Sequence, residues 1–176
     1  MIFIMLVGMP CSGKSTLRKY IQLQDTFASI SSDDYIKFVA QAANSTYNEV
    51  FKTAIKSSKF YMNAVLDSAL QNNNNIIWDQ TNLTEESRTQ KLKKIPNSYK
   101  KVCISLLSTD LGVLLKRNKS VARETKTIPD HVFSDMRARS EKPKLSEGFD
   151  TILNMESVSA EDMIVNRQMI KDLLCG

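Results

Sequence analysis

The octapeptide GMPCSGKS, Gly8–Ser15, constrains this chain more than any other stretch, because it fits the pattern G-x-x-x-x-G-K-[ST] at every fixed position. Apolar IFIMLV runs into it and TLRKYIQL runs out of it, so a strand enters the loop and a helix leaves. In that context the glycines permit a backbone whose successive N–H groups point inward at phosphate oxygens, and the helix adds its partial positive N-terminus. The expected nucleotide-binding set is Gly8, Ser12, Gly13, Lys14, Ser15 and Thr16. Lys14 is placed to reach the terminal phosphates, and the Ser15 hydroxyl to ligate Mg²⁺. Met9, Pro10 and Cys11 occupy variable positions and receive no role.

The rest of the chain repeats this strand-then-helix rhythm. Apolar runs at 2–7, 27–31, 75–79, 101–107 and 149–155 read as strands, nearly continuous in apolar character as strands covered on both faces are. Helical candidates lie between and after them, at Lys14–Gln24, Asp34–Ala43, Tyr47–Gln71, Thr84–Lys94, Leu111–Asn118, Pro129–Ser140 and Glu161–Leu174. Such alternation predicts an α/β layered fold, a central mostly parallel sheet of four to five strands with helices on both faces. Boundary signals agree. QNNNN ends the long third helix, Thr84 opens the fourth with Glu85 and Glu86 in its first turn, and Pro129 opens the sixth. With no internal repeat or linker, the whole of 1–176 is expected to form one domain.

Bulk composition narrows the class. The chain is 42% hydrophobic and 24% charged, and no apolar run approaches the ~20 residues of a membrane helix. The expected location is the cytoplasm, with no membrane partner. Cys11, Cys103 and Cys175 lack metal-ligand spacing and read as reduced thiols, and the lone His131 reads as an exposed residue in the first turn of a helix. The net charge of +5 is uneven: between Arg88 and Lys144 fifteen Lys/Arg face five Asp/Glu, a balance of +10, and the rest carries −5. A basic half suits nucleic acid, or an anionic nucleotide and its transition state.

Three further segments carry chemistry. SSDDYI ends the second strand candidate at the sheet edge where an open parallel sheet binds its ligand. Asp33 is therefore the expected base that orients an attacking hydroxyl, with the adjacent Asp34 free to cap the next helix. IIWDQTNL ends the third candidate at the same edge. Asp79 is placed to support Mg²⁺ indirectly, Gln80, Thr81 and Asn82 to bond the acceptor or the loop, and Trp78 to lie in the core. LLKRNKSVARETKTIP sets Arg117 and Arg123 amid lysines between two helices. A lid arginine there is worth on the order of 10³–10⁵ in phosphoryl transfer, roughly 4–7 kcal/mol.

Taken together, GMPCSGKST, ISSDDY, DQTNLTEESR, LLKRNKS, IPDHVFSDM and KPKLSEGFDTIL resemble, in order, the 5′-hydroxyl polynucleotide kinases, over about positions 2 to 153. The likeness is to the kinase domain of the phage enzymes and to their eukaryotic DNA-repair relatives. It implies a P-loop kinase fold with a basic helical lid at about 112–140 and a C-terminal helix at about 161–174. It also implies ATP as donor, Mg²⁺, Asp33 as general base, Thr81 and Asn82 in the acceptor-side loop, and Arg117 and Arg123 as lid arginines on the nucleotide phosphates. No phosphatase half is expected. Two positions depart from the family. Ile36 stands where the phage enzyme grips a 3′-phosphate with arginine, leaving Lys37 as the candidate replacement. Gln80-Thr81-Asn82 stands where that enzyme reads aspartate-threonine-asparagine, with the acid here one residue earlier at Asp79.

The resulting expectation is an ATP- and Mg²⁺-dependent kinase of a 5′-hydroxyl on DNA or RNA, with a nucleic-acid end as partner. The first alternative is a P-loop kinase of a nucleoside, sugar, other small alcohol or modified DNA base. The second is a nucleotide-binding regulatory module without transfer activity.

Overall fold

The computed structural model describes residues 1–120 and 126–155. Five strands, β1 (Ile2–Val7), β2 (Phe27–Ile30), β3 (Asn75–Asp79), β4 (Lys100–Ser105) and β5 (Thr151–Asn154), form one sheet in the order β2-β3-β1-β4-β5. Every pairing is parallel. Six helices accompany it: α1 (Lys14–Gln24), α2 (Ser32–Ala42), α3 (Tyr47–Gln71), α4 (Glu85–Leu92), α5 (Leu111–Asn118) and α6 (Asp130–Ala138). The expected α/β sheet with helices on both faces is therefore the observed one, all parallel where mostly parallel was expected. The C-terminal helix expected over Glu161–Leu174 and the residue Arg123 lie outside the described residues.

The alternation of β1 explains why the sheet is covered twice. Ile4 and Leu6 point to one face, where they pack with Leu17 and Ile21 of α1. Phe3, Met5 and Val7 point to the other, against Leu66 and Ala69 of α3 and Leu92 of α4. Five of the six β1 side chains, Phe3 to Val7, are fully buried, each worth about 1.5–3 kcal/mol of apolar transfer. Trp78 belongs to the second core at 3% exposure, as its place in an apolar run predicts. A third, smaller cluster joins Met9 of the loop and Leu83 to Leu114 of α5 and Phe133 of α6, and so seats these two helices beside the phosphate loop.

Local chemistry sets the helix ends. Thr84 accepts a hydrogen bond from Ser87 N at 3.2 Å, and Asn73 takes the left-handed conformation (φ 54°) that closes α3. One expectation fails here. The start of α2 is at Ser32, after Ser31, so Asp33 and Asp34 both sit inside its first turn and Asp34 caps nothing. The physical reason is a stronger partner: Asp34 takes two hydrogen bonds from the Arg18 guanidinium, at 2.5 and 2.9 Å.

A buried ion pair closes the C-terminal side. Arg88 of α4 and Glu147 both have fully buried side chains and meet at 2.6 and 2.7 Å. Nη1 turns its two protons to the carbonyls of Asn82, Leu83 and Glu141, all at 3.0–3.1 Å. Arg88 thus staples the turn after β3 to the segment that leads into β5. Arg88→Ala should cost about 3–5 kcal/mol, because it leaves Glu147 charged, buried and unpaired. The check is the free energy of urea unfolding; a loss under 1 kcal/mol would show that the pair is not a staple.

Candidate active site

The loop after β1 has the backbone its sequence demands. Gly13 is left-handed (φ 98°) at the N-terminus of α1, and Cys11 is too (φ 66°). At Gly8 the constraint is space, since a Cβ would lie 2.8 Å from Ser12 Oγ and 3.2 Å from the Leu106 carbonyl oxygen. Lys14 folds back across the loop and donates to the carbonyls of Gly8 and Met9 at 2.8 and 2.7 Å. Burial pulls its ammonium down to about 8 from the usual 10.5, against the opposing pull of Asp79 and Asp33. Ser12 is fully buried and its hydroxyl has no hydrogen-bond partner, a polar atom left over inside the cradle.

Ser15 and Asp79 meet across the sheet edge, the hydroxyl donating to the carboxylate at 3.1 Å. These hard oxygen donors, one turn from the phosphate cradle, suit Mg²⁺ held through nucleotide phosphates and an indirect carboxylate. Burial pushes the Asp79 carboxyl up, opposed by Lys14, Arg18 and the Ser15 hydrogen bond. Arg18, one turn along α1, lies 3.5 Å from Asp79 through Nε and grips Asp34 with its other nitrogens. Its position on α1 carried no sequence signal, yet it links β3 to the start of α2.

That link orients Asp33. Its Oδ1 accepts the Tyr47 hydroxyl at 2.6 Å, and its Oδ2 pairs with the Lys126 ammonium. Burial works against the charge of Asp33, but Lys126 and then Tyr47 outweigh it and hold the carboxyl below its ordinary range. Lys14, Ser15, Asp33, Asp79, Gln80 and Thr81 all open onto one cleft of about 750 Å³. Its far wall is the start of α3, where Tyr47, Asn48, Phe51 and Ile55 line it, facing Val132 and Met136 of α6. Tyr47 and Phe51 stack with ring centroids 5.7 Å apart. These α3 residues and Lys126 went unnoticed in the sequence, which offers only a helix with an unremarkable apolar stripe.

Other expected residues fall as follows. Thr16 lines the cleft, and Gly8 gives its N–H to the Thr81 carbonyl at 2.9 Å, which ties the loop to the β3 turn. Gln80 accepts from Trp78 Nε1 at 2.9 Å and so keeps its amide at the rim. Arg117 donates to the Cys11 carbonyl at 3.2 Å, beside the cradle. Two substrate-side expectations are corrected. Asn82 is 2% exposed and left-handed (φ 50°), and its amide donates to the Leu6 carbonyl at 2.7 Å, so it braces β1 instead of facing an acceptor. Lys37 is exposed on α2 outside the cleft, while Ile36 beside it is fully buried in the core. The helix turns Ile36 inward, away from the cleft.

The lowered Lys14 makes a measurable statement about nucleotide binding. A bound polyphosphate stabilises the ammonium and returns its titration toward the ordinary 10.5. Protons are then taken up on binding, and affinity falls as pH rises above about 8. Calorimetry of ATP binding at pH 8.5 in buffers of different ionisation enthalpy should show that uptake, and Lys14→Met should lose it. Equal proton exchange in both proteins would refute it.

Comparison with known proteins agrees with this geometry. Solved structures share the fold across nearly the whole chain. A candidate kinase from Chloroflexus aurantiacus J-10-fl has a TM-score of 0.73 at 16% identity, covering 99% of this chain and 97% of that one. A sugar kinase from Janibacter sp. HTCC2649 has a TM-score of 0.63 at 14% identity, covering 98% and 95%. The shikimate kinase of Acinetobacter baumannii in complex with shikimate has a TM-score of 0.60 at 14% identity, covering 99% and 94%. These likenesses establish the P-loop kinase fold. The family model of the AAA domain (AAA_33) matches residues 3–143, from β1 to beyond α6, and the chain belongs to that family.

Proposed function

We propose that this protein transfers the terminal phosphoryl group of a nucleoside triphosphate, ATP in the first instance, to the hydroxyl of a small-molecule acceptor. The observation that carries it is the common cleft. The phosphate cradle with Lys14 and the Asp33 carboxylate line the same cleft of about 750 Å³, within the range of small-ligand sites. A pure binding module has no use for a positioned carboxylate opposite its phosphates.

Phosphoryl transfer asks mainly for alignment and charge stabilisation. Lys14 is placed for the terminal phosphates, and Arg117, held against the loop, lies beside them. Mg²⁺, when bound near Ser15 and Asp79, supplies neutralising charge to the phosphate oxygens. Asp33, held charged by its partners, orients the acceptor hydroxyl and takes its proton as the oxygen–phosphorus bond forms. A weak base is enough in a loose transition state, since the proton leaves late.

A small acceptor is better supported than the 5′-hydroxyl of nucleic acid. Among the described residues, the α3 wall of Tyr47, Asn48, Phe51 and Ile55 is uncharged and the Lys126 ammonium beside it is paired with Asp33, whereas strand binding relies on a groove of positive charge along the backbone. Several charges of the basic segment between Arg88 and Lys144 are paired within the chain: Arg88 with Glu147 in the interior, Lys126 with Asp33 in the cleft, and Lys119 with Asp130 and Lys144 with Glu85 at the surface. The sugar and shikimate kinases that share the fold point the same way.

The deciding assay incubates the protein with γ-labelled ATP and a panel of nucleosides, sugars, small alcohols and 5′-hydroxyl oligonucleotides. Label is expected on a small acceptor, and labelling of oligonucleotide alone would reverse the choice. On the acceptor so found, Asp33→Asn should lower kcat by about 10²–10⁴-fold with little change in ATP affinity. If the loss lies in ATP affinity instead, Asp33 belongs to the donor side.

A further inference from the structure

Both oxygens of the Asp33 carboxylate are occupied, and by donors of very different standing. Tyr47, on Oδ1 at 2.6 Å, sits in the first turn of α3, behind a capping box made by Thr46 and Glu49, and its ring is stacked on Phe51. It is a neutral donor on a fixed element. Lys126, on Oδ2, comes from the connection between α5 and α6 on a flexible four-carbon stem, its ammonium 4.5 Å from the centre of the Tyr47 ring. Two residues further on, Ile128 is pinned by a reciprocal pair of hydrogen bonds with the buried Asn118, at 2.7 and 3.1 Å. The backbone two residues from the lysine is thus held to α5.

We infer that Asp33 works through Oδ2 alone, with Tyr47 as the positioning residue that holds Oδ1 and Lys126 as a guard that covers Oδ2 until an acceptor displaces it. This rests on the kinase reading above and adds how its base is kept from water. With Lys126 in place, each carboxylate oxygen already holds a donor, and a water molecule that approaches Oδ2 must compete with an ammonium ion. Once Oδ2 is open, a hydroxyl can hydrogen-bond there. Its oxygen then attacks the γ-phosphorus, the bond from that phosphorus to the β–γ bridging oxygen breaks, the proton passes to Oδ2, and the nucleoside diphosphate departs with the electron pair. Water in the acceptor's place follows the same course and wastes the nucleotide. Removing the guard should therefore expose the base to water.

The test needs no acceptor, so it stands apart from the panel assay. ATP hydrolysis is measured with Mg²⁺ and water only, in the full chain. Lys126→Met should raise it roughly tenfold, a part of the 10²–10⁴ that a positioned general base supplies. Lys126→Arg, which can still cover Oδ2, should stay at the parental level. Adding Asp33→Asn to Lys126→Met should erase the rise. Adding Tyr47→Phe should cut it at least threefold with unchanged melting temperature and ATP affinity, a pattern that loss of structure alone would not produce. Lys126→Gln serves as the second guard-removing variant if the methionine protein is unstable. Hydrolysis that stays level or falls in a folded, ATP-binding Lys126→Met protein overturns the guard, as does a rise that survives Asp33→Asn. A rise untouched by Tyr47→Phe removes Tyr47 from its role. A wild-type protein that labels a small acceptor while these variants behave otherwise would leave the kinase reading standing and this inference refuted.

Discussion

Leu6 and Asp79 are partners in the parallel ladder between β1 and β3, and the whole donor site hangs on that register. The phosphate loop begins two residues after Leu6, so its first turn emerges beside Asp79. The turn after β3 then locks the two strand ends together, with Gly8 N–H on the Thr81 carbonyl and the Asn82 amide on the Leu6 carbonyl. Ser15 falls within hydrogen-bond reach of Asp79 only because both ends are held. A slip of one residue would turn Asp79 to the opposite face of the sheet.

From that corner, charge carries the order outward. Arg18 stands on α1 between Asp79 of β3 and Asp34 of α2, and its grip on Asp34 sets the first turn of α2, where Asp33 lies. Tyr47 and Lys126 then take hold of Asp33 from α3 and from the lid. Each of these charges is costly to bury alone. Together Lys14, Arg18 and Lys126 face Asp79, Asp34 and Asp33 in and beside one cleft, and each opposite charge lowers the desolvation cost of its partner. The balance is uneven. Lys14 and Asp79 are pushed toward neutrality by burial, while Asp33 is held firmly charged. A buried cationic cradle and a carboxylate kept ionised suit the donor and acceptor roles proposed for them.

The phosphate loop, the order of elements and the layered fold were legible in the sequence because each is written in local chemistry. Glycine at a left-handed position, a lysine after it and an apolar run before it all lie within a dozen residues. Asp33 and Asp79 were legible for a related reason: parallel strands gather their C-terminal ends at one edge, so a strand assignment also assigns a place in space. Side-chain direction was less legible. Asn82 looked like an acceptor contact, and its inward turn comes from a left-handed backbone that nothing next to it announces. The alternation of buried and exposed faces on α2 put Ile36 in the core and Lys37 in solvent, which the pattern of that short helix alone did not decide.

By itself the sequence determined the donor end, because a phosphate cradle is built from consecutive backbone groups and needs no distant partner. The acceptor end was decided by tertiary structure. Tyr47 lies 14 residues from Asp33 and Lys126 lies 93 from it, and neither belongs to a motif of fixed spacing. Only the packing of α2 against α3 and of the lid helices on the loop brings them to the same carboxylate. The apolar wall of α3 reads as ordinary core until its neighbours leave it facing a cleft. Contacts that depend on loop closure over such separations are fixed by the core as a whole, and a single segment of sequence carries no trace of them.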